Sequence, residues 1–491
     1  MSTCYTTQLS ARKTARNSKI VATLGPSSYD LIPKLLQRGV SAFRLNMSHG
    51  SHEAHAKAYN VIRNASVGPY LCTVVISDLQ GYKTRIALFE QGKVTIQPGQ
   101  TFRFTKDLSP GTSERVGLPH PEVFAAFMEN PSNEHFVLLD DGKVRLDVVS
   151  VTDDEIVCIS EHGGELSDRK GISLPTVKLN ISTITEKDRT DLAFSVELQV
   201  DYICLSFVQC PEDVLEARNL IDQHASKLGL RAPKIISKIE TVAALHTIEA
   251  IVEASDGLMV ARGDLGVALP FWEVPVVQKH LLSLCREHGK PSIVATHCLE
   301  SMITNTRPTR SEVNDVASHV FDSSCSIMMS GETASGMFPL ESTTAMDAII
   351  RSTEEYLRKP GSDRAPQVVS IKSDLDAIAD SARRCAQSLG CKAIVNFTET
   401  GYSSFRLSRC RPGIPIISTS SHVDVLRQLN IVYGIHPVLT NGVNHFEELP
   451  AAAANIALGT GFVSKGDKII VVFGSPFNQS GTTSSMLIKT V

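Results

Sequence analysis

Short apolar segments recur along the chain, and each ends on polar or glycine-rich residues. Eight of them are rich in β-branched residues, as buried strands of a parallel sheet are. They read "IVATLGPSS", "SAFRLNMSHG", "LCTVVISDLQG", "DYICLSFVQ", "KIISKIET", "GLMVARGDLG", "SIVATHCLES" and "SIMMSGETASG". Most are separated by stretches with helical periodicity, such as "TVAALHTIEAIVEA". This alternation predicts an α/β fold built on a TIM (β/α)8 barrel, in which the residues that end the strands meet at one mouth.

The regular spacing is interrupted once, between the third and the fourth segment. The intervening residues alternate with period two and contain Gly, Pro and Asp-Gly turns, a pattern typical of antiparallel β structure. We therefore expect an inserted, β-barrel-like lid domain at 83–182, above the mouth of a barrel formed by 18–82 and 183–355. In this scheme residues 1–17 are an N-terminal extension. A linker rich in Pro, Gly and charge then leads to a C-terminal α/β domain at 356–491.

Composition narrows the possible functions. The chain has 491 residues, 42% of them hydrophobic, which is enough for the cores of several domains. Its net charge of −4 leaves no basic excess for nucleic acid or anionic lipid, so we expect small-molecule partners. No apolar run is as long as a membrane span. Eleven cysteines without CxxC pairs favour reduced thiols in a reducing compartment.

The N-terminus bears on localisation. The first eighteen residues are rich in Ser and Thr, contain three basic residues and lack acidic ones, which resembles an organelle transit peptide. The segment is short, and the first predicted strand begins almost at once with Ile20. We therefore expect a cytoplasmic protein, with an organelle as the alternative.

The segment "MVARGDLGV" contains the tripeptide Arg-Gly-Asp, which on its own is a cell-adhesion signal. An adhesion loop has to be solvated, whereas this tripeptide directly follows a run that predicts a buried strand. Asp264 at the end of that strand, between glycines that let a ligand approach the backbone, is better explained as part of a binding site.

A second charged pair precedes it in "ISKIE". Lys238 and Glu240 are two residues apart, so both side chains of an extended strand point the same way. A structural ion pair is one explanation. With Asp264 on the next strand, a site for a hard, oxygen-liganded ion such as Mg²⁺ is favoured, and Lys238 then adds positive charge for a phosphoryl group in transfer.

Polar residues also end the second and third segments. Arg44, Asn46 and Ser48 recur with period two, and Asp78 ends the next segment. Arg44 is either a salt-bridge partner or an anion clamp, and a shared mouth with a metal site favours the clamp. The segment "SGETASG", which begins at Ser330, resembles a helix start that holds phosphate on backbone amides, although many such turns bind nothing.

Together these segments closely resemble the pyruvate kinase family, from "KIVATLGPSS" to "SGTTSSMLIKTV". The most specific pieces are "ISKIE", "ARGDLGV", "LESMI", "PTRSEVNDVA" and "MMSGETASG". The resemblance implies the barrel, an inserted lid, a C-terminal α/β domain and a homotetramer. It also implies transfer of the phosphoryl group of phosphoenolpyruvate to ADP with Mg²⁺ (or Mn²⁺) as cofactor, which gives ATP and an enolate that is protonated to pyruvate.

The resemblance further implies roles for individual residues. Glu240 and Asp264 correspond to the Mg²⁺ ligands, and Lys238 to the lysine that stabilises the phosphoryl group in flight. Arg44 and Ser330 correspond to residues that hold its phosphate.

Other positions correspond to contacts of the substrate carboxylate and of the nucleotide. The backbone of Gly263 and Asp264 and the hydroxyl of Thr296 would hold the carboxylate, with Thr296 near the proton route to the enolate carbon. The nucleotide contacts would be Asn46, His49, Arg85 and Lys170.

The chain departs from the family pattern near the nucleotide and the substrate. Gln80, His297, Cys298, Ala268 and Ser335 replace the usual residues, but no metal ligand and no phosphoryl lysine is lost. Two alternatives therefore stay open: a catalytically weak relative that binds metabolites and regulates, and another phosphoenolpyruvate-using barrel enzyme.

One departure concerns the monovalent cation. Most relatives carry Glu at the position of Lys83 and need K⁺; a minority carry Lys, with an aliphatic residue three positions later, and do not. This chain has Lys83 and Ile86, so we expect that K⁺ is not required and that Lys83 is its surrogate. The alternative is that Lys83 points into solvent. The ligands of the cation, or of its remnant site, would be Asn46, Ser48, Asp78 and Leu79.

A loop in the C-terminal domain, "FTETGYSS", is rich in hydroxyls and glycine, as a phosphate-binding turn is. In the family this region often binds a sugar-phosphate effector, and Gly481–Thr483 would close over it. A plain solvent loop is the alternative. The expected effector residues are Thr398, Thr400, Gly401, Ser403 and Ser404.

Overall fold

The computed structural model describes residues 16–68, 71–177, 179, 181–359, 370–441, 443, 445–475 and 481–491. Most of the predicted N-terminal extension and of the linker after 359 lie outside the described residues. The chain begins with β1 (Lys19–Thr23), α1 (Ile32–Gln37), β2 (Ala42–Asn46), α2 (His52–Ala65) and β3 (Val74–Asp78).

A sheet-rich unit follows β3, as predicted from the interrupted spacing. Its elements are β4 (Lys93–Ile96), β5 (Thr101–Thr105), β6 (Arg115–Gly117), α3 (Pro121–Glu129), β7 (Phe136–Leu139), β8 (Val144–Val151), β9 (Glu155–His162), β10 (Gly164–Ser167) and β11 (Ile172–Ser173). Six strands form one sheet in the order β11-β7-β8-β9-β5-β6, and β10 pairs with β4. The core of this unit, the lid, contains Phe102, Phe104, Phe124 and Phe127, all buried.

The chain then completes the barrel. The remaining strands are β12 (Tyr202–Leu205), β13 (Lys234–Ile239), β14 (Gly257–Ala261), β15 (Ser292–Ala295) and β16 (Ser326–Met329). The helices are α4 (Glu186–Glu197), α5 (Pro211–Leu228), α6 (Val242–His246), α7 (Ile248–Ala254), α8 (Arg262–Ala268), α9 (Val274–His288), α10 (Arg310–Phe321), α11 (Gly331–Ala334) and α12 (Pro339–Leu357).

These strands form the closed parallel barrel that the sequence predicts, in the order β1-β16-β15-β14-β13-β12-β3-β2. Nearly all their residues are buried, because helices cover the outside and side chains fill the inside. All eight strands point the same way, so their carboxyl ends share the face on which the lid lies.

The C-terminal part is a second α/β unit. Its elements are α13 (Asp374–Leu389), β17 (Ala393–Phe397), α14 (Tyr402–Arg409), β18 (Ile416–Ser420), α15 (Val423–Leu429), β19 (Ile435–Leu439), α16 (Leu449–Thr460), β20 (Lys468–Gly474) and β21 (Thr483–Thr490). The sheet order is β19-β18-β17-β20-β21, and β21 runs antiparallel to its neighbour. The three central strands were predicted, whereas the two edge strands were not.

The barrel and the C-terminal unit are joined by polar contacts at the amino ends of the barrel strands. Lys19 donates from Nζ to the carbonyl of Ile435 at 2.6 Å, and the Tyr202 hydroxyl donates to the carbonyl of Gln428 at 2.8 Å. Among the described helices, none is both long and apolar enough to cross a membrane.

Candidate active site

Three barrel strands bring four charged side chains together at the mouth. Arg44 on β2 donates from Nε to Asp78 Oδ2 on β3 at 2.6 Å. Lys238 on β13 has its Nζ 3.4 Å from the other oxygen of Asp78 and 3.0 Å from Glu240 Oε1. The predicted convergence of these residues is confirmed.

Burial and charge act in opposite directions in this cluster. Burial alone would raise the pKa of Asp78, but Arg44 and Lys238 hold that pKa below its ordinary value. Burial alone would lower the pKa of Lys238, but the charges of Asp78 and Glu240 raise it above its ordinary value. Lys238 is therefore a cation throughout the physiological pH range.

Glu240 and Asp264 bear on the predicted metal site. Glu240 is 2% exposed, and its Oε2 accepts a hydrogen bond from the backbone N–H of Phe207 at 2.7 Å. Burial raises the pKa of Glu240, and the negative charge of Asp264 raises it further, against the opposing effect of Lys238. A divalent cation between the two carboxylates would relieve this repulsion, so the donor set fits such an ion.

The same two carboxylates border a cavity of about 400 Å³ between the barrel mouth and the lid. Within the described ranges no group of three or more His, Cys, Asp and Glu side chains is arranged to hold a metal. The cavity leaves an ion held by Glu240 and Asp264 room for further ligands from substrate oxygens or water.

Arg262 of the Arg-Gly-Asp tripeptide is not presented in the solvated form that an adhesion loop requires. Its side chain is 12% exposed and is held by both carboxylate oxygens of Asp315, at 2.8 and 2.9 Å. It also donates to the carbonyl of Thr296 at 2.6 Å. Arg262 thus fixes the loop after β15, as expected of a residue in a folded site.

Thr296 has an unusual backbone. Its φ is 66° and that of His297 is 54°, a left-handed conformation that a β-branched residue such as threonine rarely adopts. The hydroxyl oxygen of Thr296 accepts from the backbone N–H of Gly263 at 2.8 Å. The strained loop therefore brings Thr296 and Gly263 together, as the resemblance implies.

Ser330 lies directly after β16 and is the N-cap residue of the four-residue helix α11. Its backbone N–H donates to Glu332 Oε2 at 2.7 Å, and Glu332 Oε1 accepts from the N–H of Leu299 at 2.9 Å. Glu332, 1% exposed, thus ties the Ser330 turn to the Thr296 loop. Sequence reasoning missed this role, although a lone acid among small residues was a signal.

Two of the four expected oxygen ligands of a monovalent cation accept hydrogen bonds within the protein. Asn46 Oδ1 accepts from the N–H of Ser48 at 3.2 Å, and the carbonyl of Leu79 accepts from the Ser206 hydroxyl at 2.7 Å. Ser206 Oγ in turn accepts from Lys238 Nζ at 2.7 Å, a link that the sequence analysis missed. Lys83 does not point freely into solvent: its ammonium lies 3.5 Å from Asp264 Oδ1.

The expected nucleotide residues lie on both sides of the cleft. Arg85 and Lys170 are close together in the lid, where Arg85 pairs with Gly171 and Lys170 bonds Asp140 at 2.6 Å. His49, like Ser48, is exposed in the loop after β2 on the barrel side.

The C-terminal unit contains a separate cavity of about 510 Å³ at the predicted effector loop. Thr398, Thr400 and Ser403 line it, together with Gly481–Thr483 from the end of the chain. Ser404 does not, because its hydroxyl is fully buried and accepts from Asn396 Nδ2 at 2.9 Å.

Gly401 does not line the effector cavity either; with φ of 85° it forms the turn before α14. Its backbone N–H donates to the Thr398 hydroxyl at 3.0 Å, so its contribution is to the shape of the loop.

The chain is similar to known proteins over nearly its whole length. Residues 15–343 match the family model of the pyruvate kinase barrel domain, and residues 376–489 match that of the pyruvate kinase alpha/beta domain. The chain is 38% identical to a pyruvate kinase of Methylorubrum extorquens, over 98% of each chain. It is 39% identical to one of Agrobacterium vitis, over 96% of this chain and 98% of the relative.

A solved structure is also similar. The crystal structure of a pyruvate kinase from Cryptosporidium parvum superposes with a TM-score of 0.87 at 33% identity, covering 97% of this chain and 96% of that one. With the barrel, the lid and the C-terminal unit in the same arrangement, and with similarity over nearly the whole length, this chain belongs to the pyruvate kinase family.

Proposed function

We propose that the protein transfers the phosphoryl group of phosphoenolpyruvate to ADP in a Mg²⁺-dependent reaction that gives ATP and pyruvate, as a step of glycolysis. The observation that carries the proposal is the convergence of Lys238, Arg44, Asp78 and Glu240 at the barrel mouth, with Asp264 close enough for its charge to raise the pKa of Glu240. Such a cluster of fixed charges stabilises a transferring phosphoryl group by electrostatics and positioning.

Each side chain has a role in this reaction. Glu240 and Asp264 hold Mg²⁺, or Mn²⁺ in its place, and the bound ion would supply Lewis-acid stabilisation of phosphate and enolate oxygens. Arg44 and Ser330 hold the phosphate of phosphoenolpyruvate. Lys238 directs its ammonium at the phosphorus as the bond to the enolate oxygen breaks and the bond to the ADP oxygen forms.

The substrate carboxylate and the proton are assigned to residues that follow β14 and β15. The backbone of Gly263 and Asp264 and the hydroxyl of Thr296 hold the substrate carboxylate. Thr296 Oγ1 lies on the route by which the enolate carbon gains its proton. The hydrogen bond between Gly263 and Thr296 supports this assignment, since it fixes both groups in one place.

ADP is bound between the lid and the barrel. Arg85 and Lys170 approach its phosphates from the lid, while Asn46 and His49 approach from the barrel. The lid, 83–182 in our division of the chain, closes over the nucleotide and excludes water.

K⁺ is not required in this proposal. Two observations support it: Asn46 Oδ1 and the carbonyl of Leu79 already accept hydrogen bonds, and the ammonium of Lys83 lies beside Asp264. A lysine there brings one positive charge to the site without a bound monovalent ion.

Regulation and assembly follow the family. The cavity bordered by Thr398, Thr400 and Ser403 would bind a sugar-phosphate effector, and its hydroxyl-rich lining supports a phosphate ligand. We further propose a homotetramer located in the cytoplasm.

The proposal is tested by a coupled assay of pyruvate formation with phosphoenolpyruvate, ADP and Mg²⁺, in buffer whose only monovalent cation is a bulky quaternary ammonium. We expect turnover that depends on Mg²⁺ and changes little when K⁺ is added. Substrate binding without turnover, with K⁺ present or absent, would instead favour the weak metabolite-binding alternative.

A further inference from the structure

The segment that leads from β3 into the lid carries Lys83, and the two residues that flank it are attached to the same lid helix. Tyr82 precedes Lys83, and Arg85 follows it by two residues. Helix α3 of the lid begins at Pro121, directly after His120. Both Tyr82 and Arg85 contact His120.

Tyr82 takes part in a cluster of three polar groups: its own hydroxyl, the His120 imidazole and the Glu122 carboxylate. Its hydroxyl lies 2.6 Å from His120 Nδ1 and donates to Glu122 Oε1. His120 Nδ1 lies 3.1 Å from the same carboxylate oxygen. The rings of Tyr82 and His120 also pack edge to face, with centroids 5.6 Å apart. We call Tyr82, His120 and Glu122 the clasp.

Arg85 is attached to the other side of the imidazole ring. Its backbone N–H donates to His120 Nε2 at 3.1 Å, so Nε2 carries no proton and Nδ1 carries the only one. Nδ1–H then donates to the Tyr82 hydroxyl oxygen, and the Tyr82 O–H donates to the Glu122 carboxylate. His120 thus uses both ring nitrogens to hold one short stretch of chain.

The backbone on either side of Arg85 also forms hydrogen bonds with the last part of the lid, near β11. The N–H of Ile172 donates to the carbonyl of Thr84 at 3.0 Å, and the N–H of Ile86 donates to the carbonyl of Lys170 at 3.0 Å. The backbone around Lys83 is therefore held between the clasp and this pairing. The Lys83 side chain extends into the cleft, with its ammonium 3.5 Å from Asp264.

We propose that the clasp positions Lys83: it holds the backbone on both sides of this residue and so sets where the ammonium lies in the cleft. The inference rests on the proposed function of Lys83 as a built-in monovalent cation. The clasp residues do not touch the substrates in this role; they are positioning residues that act through Lys83.

A double-mutant cycle tests whether the clasp acts through Lys83. We would measure kcat and the KM for ADP without K⁺ in the wild type, Tyr82→Phe, Lys83→Met and the double variant. Tyr82→Phe keeps the ring and removes only the hydroxyl. The matched control is Tyr59→Phe, which removes a hydroxyl outside the site that bonds the Gln199 carbonyl and interacts with Arg63.

We expect Tyr82→Phe to lower kcat/KM for ADP about tenfold, the loss typical of one hydrogen bond. Lys83→Met should lower it at least as much, and adding Tyr82→Phe to Lys83→Met should change it less than about twofold, since the two act as a unit. Tyr59→Phe should match the wild type.

Each contrary result has a distinct meaning. If Lys83→Met is fully active without K⁺, the proposed role of Lys83 fails. If Lys83→Met is impaired but Tyr82→Phe adds its full effect, or behaves like Tyr59→Phe, the clasp inference alone is overturned.

A second pair of variants distinguishes loss of positioning from loss of packing. His120→Gln retains an oxygen that can accept from the N–H of Arg85, whereas His120→Ala does not. Higher kcat/KM for ADP in His120→Gln than in His120→Ala at equal melting temperature supports positioning. Equal loss in both variants contradicts it.

Discussion

Replacing Lys238 by methionine should change both catalysis and folding stability, because the ammonium of this residue contributes to each. Its Nζ is 3.0 Å from Glu240, 3.4 Å from Asp78 and 2.7 Å from the Ser206 hydroxyl, and the residue is 9% exposed. Methionine keeps an unbranched chain one atom shorter than that of lysine and removes the charge. We expect kcat to fall by a factor of about 100 to 1,000 or more, because the cation stabilises charge that develops in the transition state.

The structure also predicts a cost in stability. Breaking a buried ion pair by removing one partner costs about 3–5 kcal/mol when the remaining charge is left uncompensated. Asp78 keeps Arg44 as a partner in the variant, so we expect the lower end of that range. Glu240 is left beside Asp264 alone, which should make the variant depend more strongly on Mg²⁺ for its folding stability.

The assays are steady-state kinetics at saturating Mg²⁺ and thermal unfolding with and without the ion. Lys234→Met is the control: it lies on the same strand, at the end away from the mouth, and pairs with Asp256 at 3.5 Å. The control should lose little activity. A fall in kcat of less than about tenfold in Lys238→Met would refute the role of this lysine, since loss of one such contact typically costs a hundredfold.

Four further predictions follow from particular contacts. Lys83→Glu should make activity dependent on K⁺, measured as rate against K⁺ concentration at constant ionic strength; a variant still active without K⁺ would show that Lys83 is not the surrogate. Glu332→Gln should lower kcat about tenfold, because an NH2 group, which cannot accept, replaces one of the two oxygens that hold the N–H groups of Leu299 and Ser330; unaltered kinetics would contradict this link. Asp256→Asn should lower the free energy of unfolding by about 1–3 kcal/mol at pH 7. Lys234 and Arg218 outweigh burial and hold the pKa of Asp256 below 3.8. The contribution of Asp256 to stability is therefore present above about pH 4 and is lost as the pH falls through the native pKa. Urea unfolding that gives the same difference between variant and wild type at pH 7 and at about pH 3 would disprove this prediction. A panel of sugar phosphates should raise the melting temperature, and Thr400→Val should weaken the effect of the active one; no response to any member would count against the effector site.

The ends of the barrel strands could be predicted because local sequence specifies them. Lys238 and Glu240 share one face of a strand, and the apolar run before Asp264 fixes where β14 ends. In a parallel barrel the strand ends meet, so the topology alone brings these residues together. The fold and the main charged groups of the site could therefore be predicted from the pattern of apolar and polar residues in the sequence.

Contacts between distant segments could not be predicted in this way. Ser206 bonds Lys238, and Glu332 bonds Leu299, across strands whose register is known only from the three-dimensional structure. The left-handed backbone of Thr296 is likewise imposed by its surroundings, against the preference of threonine.

The two unpredicted strands lie at the edges of the C-terminal sheet. β19 contains Pro437 and reads "IHPVL", and β21 alternates exposed and half-buried residues in "TSSMLIKT". Edge strands tolerate proline and polar residues, so they lack the continuous apolar run that marked the central strands.

The central claim is that the charged cluster at the barrel mouth transfers phosphoryl from phosphoenolpyruvate to ADP. The most direct measurement is ³¹P NMR of a mixture of protein, phosphoenolpyruvate, ADP and Mg²⁺, followed over time for the wild type and Lys238→Met. We predict one ATP formed for each phosphoenolpyruvate consumed in the wild type, and almost no change with the variant. Persistence of phosphoenolpyruvate, or its loss as inorganic phosphate without ATP, in the wild type would contradict the account.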